Sequence, residues 1–167
     1  MIGQSEIMVF VLLLVIGVSL FTSATIWSRD IFQQNVDVAR VESAEKFMKD
    51  LNEDIQSIVK FGGSRELRYG LEGTIRIADS QTIEVGVPVT IPLTNSWVTI
   101  SSDDSYYIRE RLEGDFFKLQ LNYTSQDYRI EFFTDGPTLS TPSIVKVERN
   151  QTTSTGQTVI KIKVTFS

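Results

Sequence analysis

The chain has 167 residues, with 16 Lys+Arg against 21 Asp+Glu, no Cys and no His. Without His the usual general base near neutral pH and the commonest metal ligand are gone, and without Cys so are disulfides, thiolate catalysis and iron–sulfur clusters, which points away from an enzyme and from any cofactor. A net charge of -5 with no Lys/Arg cluster argues against nucleic acid as a partner.

In chain order, the first element is an apolar run. Ile7 to Trp27, IMVFVLLLVIGVSLFTSATIW, carries 21 residues without a charge. As a helix it spans about 31 Å, roughly the hydrocarbon core of a bilayer. The preceding residues, Met1 to Glu6, hold no Lys or Arg, unlike the basic start of a secretory signal, for which Ser23-Ala24 would be the only small-residue exit. A helix apolar on every side is too large for a chain this short to bury, so it is expected to meet lipid or other helices.

Beyond Trp27 the helical pattern continues with a narrower apolar face. Val41, Ala44, Met48, Leu51, Ile55 and Ile58 recur at alternating spacings of three and four, a seam that packs either on the chain's own C-terminal domain or on a second subunit. No Pro interrupts residues 1 to 60, and Gly62-Gly63 supplies a stop. The predicted helical segment is therefore residues 1–62, with 7–27 hydrophobic.

After Gly63 the apolar period changes from about 3.6 to 2. Alternation appears in TIRIAD, TIEVGV, SWVTI, FFKLQLNY, DYRIEFF, SIVKV and TVIKIKVTF, with turn signals between them at Asp79-Ser80, Asn95-Ser96, Ser101 to Ser105, Glu113 to Asp115, Ser125 to Asp127, Asp135 to Pro137 and Ser154 to Gly156. Short strands at this spacing predict an antiparallel β-sandwich-like head over residues 64–167, and the whole chain an α+β protein. The carboxylates Asp103, Asp104, Glu110, Glu113 and Asp115 are the remaining candidates for acid/base or calcium chemistry. Their spacing fits no calcium loop, and solvated turns and strand edges account for them. Asn122-Tyr-Thr124 and Asn150-Gln-Thr152 fit the N-glycosylation acceptor pattern at predicted strand ends or turns.

Glu6 stands at the edge of the apolar run. A carboxylate there either finds a cationic partner, such as the α-amino group of a neighbouring chain, or stays hydrated at the level of lipid headgroups. Arg29 and Asp30 follow the run together, so the charge bias that orients membrane helices is weakly expressed.

The opening MIGQSEIMVFVLLL resembles the N-terminus of archaeal type IV pilin-like proteins, in which a short Gln/Ser/Glu-bearing segment leads into an apolar helix. Gly3, Gln4, Ser5 and Glu6 keep the residue types with a compressed spacing, and the charged leader that a prepilin peptidase removes is missing, as for an already matured chain or an unprocessed relative. The layout of a long helix carrying a β-rich head is similar over the whole length. The resemblance implies a non-enzymatic subunit of a surface filament, a homo-oligomer built by helix bundling after release from the membrane, with the β-heads outside the cell. It implies a subunit interface formed by Gln4, Glu6, Phe10, Leu13, Gly17, Leu20, Ser23, Ala24 and Trp27, with Glu6 registering a neighbour's N-terminus. An adhesion pilin leads this reading; a membrane-anchored archaellum accessory protein with a β-sandwich head, or an archaellin, is the alternative.

Overall fold

A computed structural model describes residues 2–90, 95–155 and 157–167; Met1 and the Gly156 end of the expected Ser154 to Gly156 turn lie outside them. The first element is a single helix, α1 (Ile2–Phe61). Its stop is chemical. Gly62 and Gly63 take φ of 75° and 90°, values that cost L side chains strain, and the Gly62 amide donates to the Ile58 carbonyl at 2.8 Å. Arg149 completes the cap, its Nη1 donating to the Val59 carbonyl at 3.2 Å.

Ten strands follow: β1 (Ser64–Arg68), β2 (Thr74–Asp79), β3 (Thr82–Pro88), β4 (Val98–Asp103), β5 (Tyr106–Glu113), β6 (Phe116–Tyr123), β7 (Tyr128–Phe133), β8 (Leu139–Ser140), β9 (Ile144–Thr155) and β10 (Gln157–Phe166). They form a six-stranded sheet in the order β4-β5-β6-β3-β2-β8 and a four-stranded sheet in the order β1-β9-β10-β7. The chain is thus α+β with a β-rich head, as the change of period predicts. Two features depart from an antiparallel sandwich. Strand β10 runs parallel to β7, Thr158 through Lys163 facing Tyr128 through Phe133, and the two sheets do not close on one another. Alternation reports which face a residue occupies but not the direction of its neighbour, so the parallel pair leaves no periodic signature.

The compact units are Met1–Val36 and Asp37–Ser167. The change of period at Gly63 therefore marks the end of a secondary-structure element, while the later part of α1 belongs to the head. The reason is the seam: Ala44, Met48, Leu51, Ile55 and Ile58 are fully buried, Val41 is partly so, and they share one cluster with Ile83, Leu119 and Leu121 of the larger sheet and Val147, Ile162 and Val164 of the smaller. Of the two seam partners open from the sequence, the chain's own head is the one occupied. Polar groups tie the helix down as well. Tyr123 Oη donates to Asn52 Oδ1 at 2.6 Å, and the fully buried Asp37 carboxylate accepts from the Thr90 amide and hydroxyl at 2.7 and 2.6 Å, satisfying a charge that would be costly to bury alone.

Candidate functional site

The residues expected to carry assembly lie in the Met1–Val36 unit, and all of them are exposed: Phe10 is 67%, Leu13 62%, Leu20 67% and Trp27 70% accessible. This exposure is general. Ile7, Met8, Val9, Val11, Leu12 and Leu14 are likewise open, and the helix is long and apolar enough to cross a membrane, with none of its most apolar 18-residue window buried. The local sequence explains how such a helix tolerates an apolar medium. Ser19, Thr22 and Thr25 each donate a hydroxyl proton to the carbonyl four residues back, at 2.8 Å, so these polar atoms need no water.

At 100° per residue, Glu6, Phe10, Leu13, Gly17, Leu20, Ala24 and Trp27 fall on one side of the helix. Their spacings after Glu6 alternate between three and four, the repeat that sets knobs of one helix into holes of another. Ser23 lies on the flank of this stripe and Gln4 on the far side, so the helix brings seven of the nine expected interface residues together. A methyl group built at Gly17 would meet nothing within 4 Å, leaving room for the backbone of another helix. Ser5, Glu6, Val9, Phe10 and Leu13 line a shallow groove, which puts the carboxylate at the end of the stripe.

The carboxylates of the head do not converge on a reaction centre. Asp103 Oδ1 accepts the Asp104 amide at 2.7 Å; Glu113 pairs with Lys118 at 2.8 Å and with Arg111; Glu110 faces the other side of β5. Among the described residues no group of three or more ligating side chains is placed to hold a metal. The two sequons differ. Asn122 is half-buried within β6, its amide donating to Thr82 Oγ1 at 2.5 Å. Asn150 is exposed and lies within β9, not at a strand end, at the register shift where Arg149 faces Ile162 and Gln151 faces Lys161.

One cluster went unread in the sequence. On the outer face of the six-stranded sheet the Arg109 guanidinium carbon lies 4.5 Å from the Trp97 ring centroid and 5.3 Å from that of Tyr107, and Arg111 lies 4.5 Å from Trp97. The signal was present in Tyr107, Arg109 and Arg111 at period 2, but the polar Arg-Glu-Arg run masked β5 as a strand.

No protein-family model, curated protein or solved structure matches the chain.

Proposed function

We propose that this protein is a structural subunit of an archaeal type IV pilus-like surface filament serving adhesion, assembled by bundling of its N-terminal helices. The observation that carries the reading is the apolar run of α1, exposed on every side and striped by Glu6, Phe10, Leu13, Gly17, Leu20, Ala24 and Trp27. In water such a surface is strongly unfavourable, at ~25 cal/mol per Å² of apolar area. Lipid covers it before assembly, and like helices cover it afterwards. Its length matches a bilayer and its stripe matches a helical partner, so a single segment serves as both membrane-inserted precursor and filament core. The resemblance of the first residues to archaeal pilin-like proteins supports the same assignment and implies a head outside the cell.

A membrane-anchored accessory protein of the archaellum uses the same helix as a permanent anchor, and the satisfied hydroxyls of Ser19, Thr22 and Thr25 suit that role too. The two differ in whether α1 leaves lipid. Negative-stain microscopy of native surface material, with an antibody to the head, is expected to show labelled filaments; label confined to membrane would replace the filament reading with the anchor. Glu6→Gln is expected to slow or misregister assembly without changing the thermal stability of the head. Normal filaments from that variant would leave Glu6 as a hydrated interfacial residue.

A further inference from the structure

The outer face of the six-stranded sheet and the loops at one end of it carry opposite charge. Alternation along β5 puts Tyr107, Arg109 and Arg111 on the outer face and buries Ile108 on the other. Register sets Thr99 of β4 and Gln120 of β6 beside Arg109, Lys118 beside Arg111, and Leu139 of β8 beside Arg76. Arg76, Arg109, Arg111 and Lys118 stand there against Glu84 and Glu113, on a chain whose net charge is -5. Arg109 is the cation left over. Its Nε and Nη2 donate to Gln120 Oε1 at 3.1 and 2.9 Å, a neutral group that orients the guanidinium without compensating it, and among the described residues no carboxylate pairs with it.

The composition of this face is that of a protein-docking surface. Trp, Tyr and Arg are the residue types that carry most interface energy. Here Trp97 and Tyr107 hold Arg109 by cation–π contact, at 4.5 and 5.3 Å, so little rotamer entropy remains to be lost on binding. Phe116 and Leu139, 46% and 55% exposed, add apolar area on the same side.

The opposite sign lies where the strands turn. The β2–β3 turn, the β4–β5 turn and the β6–β7 loop meet at one end of the head: the Tyr123 amide donates to the Gln81 carbonyl at 3.2 Å and the Thr124 amide to the Ser105 carbonyl at 2.9 Å. These loops and the strand ends beside them carry Asp79, Asp103, Asp104 and Asp127, all exposed. No Lys or Arg lies between Arg76 and Arg109 or between Lys118 and Arg129, and among the described residues none of the four carboxylates makes an ion pair. Asp104 and Asp127 line one open pocket, so charges from two different loops converge.

We propose that the outer face is a contact between heads, occupied by the acidic loop end of a second copy of this chain, with Asp104 and Asp127 reaching Arg109. Charge complementarity selects the occupant. Face against face would set Arg109 and Arg111 against their own copies, whereas the loop end supplies the carboxylates that the face lacks. Two different surfaces in contact make a heterologous interface, which propagates from copy to copy instead of closing on a dimer. The contact rests on the filament reading, since α1 must first gather the copies. Exposed charge pairs are weak singly, so the contact acts where the helix bundle holds heads at high effective concentration, and free heads stay monomeric.

The chain has no Cys, so introduced thiols report the contact directly. Full-length Thr99→Cys chains, marked beside Arg109, and full-length Gln126→Cys chains, marked beside Asp127, are co-assembled and oxidised, both as filaments and in native membranes. The mixture in filaments is expected to give a disulfide-linked dimer, and neither chain alone is expected to give one. Arg109→Glu in the Thr99→Cys chain is expected to lower the yield at least about tenfold, the loss of an interfacial charge pair. Asp104→Lys with Asp127→Lys in the partner chain is expected to restore it, which would not happen if Arg109→Glu had merely misfolded the head. Lys146→Cys on the other sheet is expected to give no dimer with Gln126→Cys. Filaments without the mixed dimer, an equal dimer from Thr99→Cys alone or with Lys146→Cys, or a yield indifferent to Arg109→Glu would overturn the contact and leave the filament reading standing. A mixed dimer in the membranes of a protein that never forms filaments would support the contact and remove the filament reading; neither filaments nor dimer would overturn both.

Discussion

Glu110 points inward from β5, with Oε2 buried and without a hydrogen-bond partner among the described atoms. Burial raises its carboxyl above the ordinary value of 4.5, the charge of Glu45 raises it further, and Lys49 partly offsets both. The folded state therefore holds its proton more tightly than the unfolded state does. By linkage, its ionisation opposes folding increasingly as pH rises from the ordinary value to the raised folded one, and by a constant amount above that. Glu110→Gln, which keeps the shape and cannot ionise, is expected to melt higher than the unaltered protein at pH 7, the difference shrinking as pH falls through the raised folded value and levelling off below the ordinary 4.5. Melting temperatures across that range check both sign and window; a gain independent of pH would assign the effect to packing. The sequons separate at the same scale. Asn150 is open at its bulge, whereas Asn122 would have to give up its bond to Thr82. Mass spectrometry of native protein is expected to find a glycan on the Asn150 peptide and not on the Asn122 peptide, and the reverse pattern would refute the accessibility argument.

Much of the element scale was legible in the sequence, and what was not has particular causes. The alternation of threes and fours from Val41 to Ile58 located the buried side of α1, because a helix that covers one surface needs apolar residues on one side only. Seven strands showed their period of 2. Strand β8 has two residues, too few for any pattern, and β1 is polar because it lies at the edge of its sheet. In β5 the outward Arg109 and Arg111 and the inward Glu110 broke the apolar rhythm, hiding the strand and the stacked cluster together. The partition of α1 was the least legible feature, since an unbroken helix gives no local sign of where one compact unit yields to the next. That partition has a measurable consequence. Leu51→Ala removes a fully buried side chain and is expected to cost the head about 2–5 kcal/mol in denaturant unfolding. Leu13→Ala removes an exposed one and is expected to change the same measurement by less than about 0.5 kcal/mol, while weakening filaments against shear or detergent. Equal effects of the two substitutions on head stability would contradict the partition.

At the scale of the whole molecule, a disulfide-free chain divides its stability between two sources. The Asp37–Ser167 unit has its own core, which draws on α1 and both sheets, so it does not need neighbours to fold. The apolar segment has no core, and its order in water depends on lipid or on other copies, which stabilise by mass action. Removing residues 1–28 should therefore separate the two. The truncated protein is expected to be soluble without detergent, monomeric by light scattering, and to melt at a temperature independent of its concentration, because every buried seam residue from Val41 to Ile58 is retained. The full chain should instead lose detergent-free solubility unless polymerised, and its apparent melting temperature should rise with the extent of assembly. If the truncated protein still formed the same filaments, contacts between heads rather than the helix bundle would hold the polymer; if it failed to fold, the head's core would depend on residues before Arg29. Only the first result would locate the cohesive surface elsewhere than on the stripe from Glu6 to Trp27, because that stripe is absent from the truncated chain; the second would instead extend the head's core into the removed residues and contradict the division at Val36.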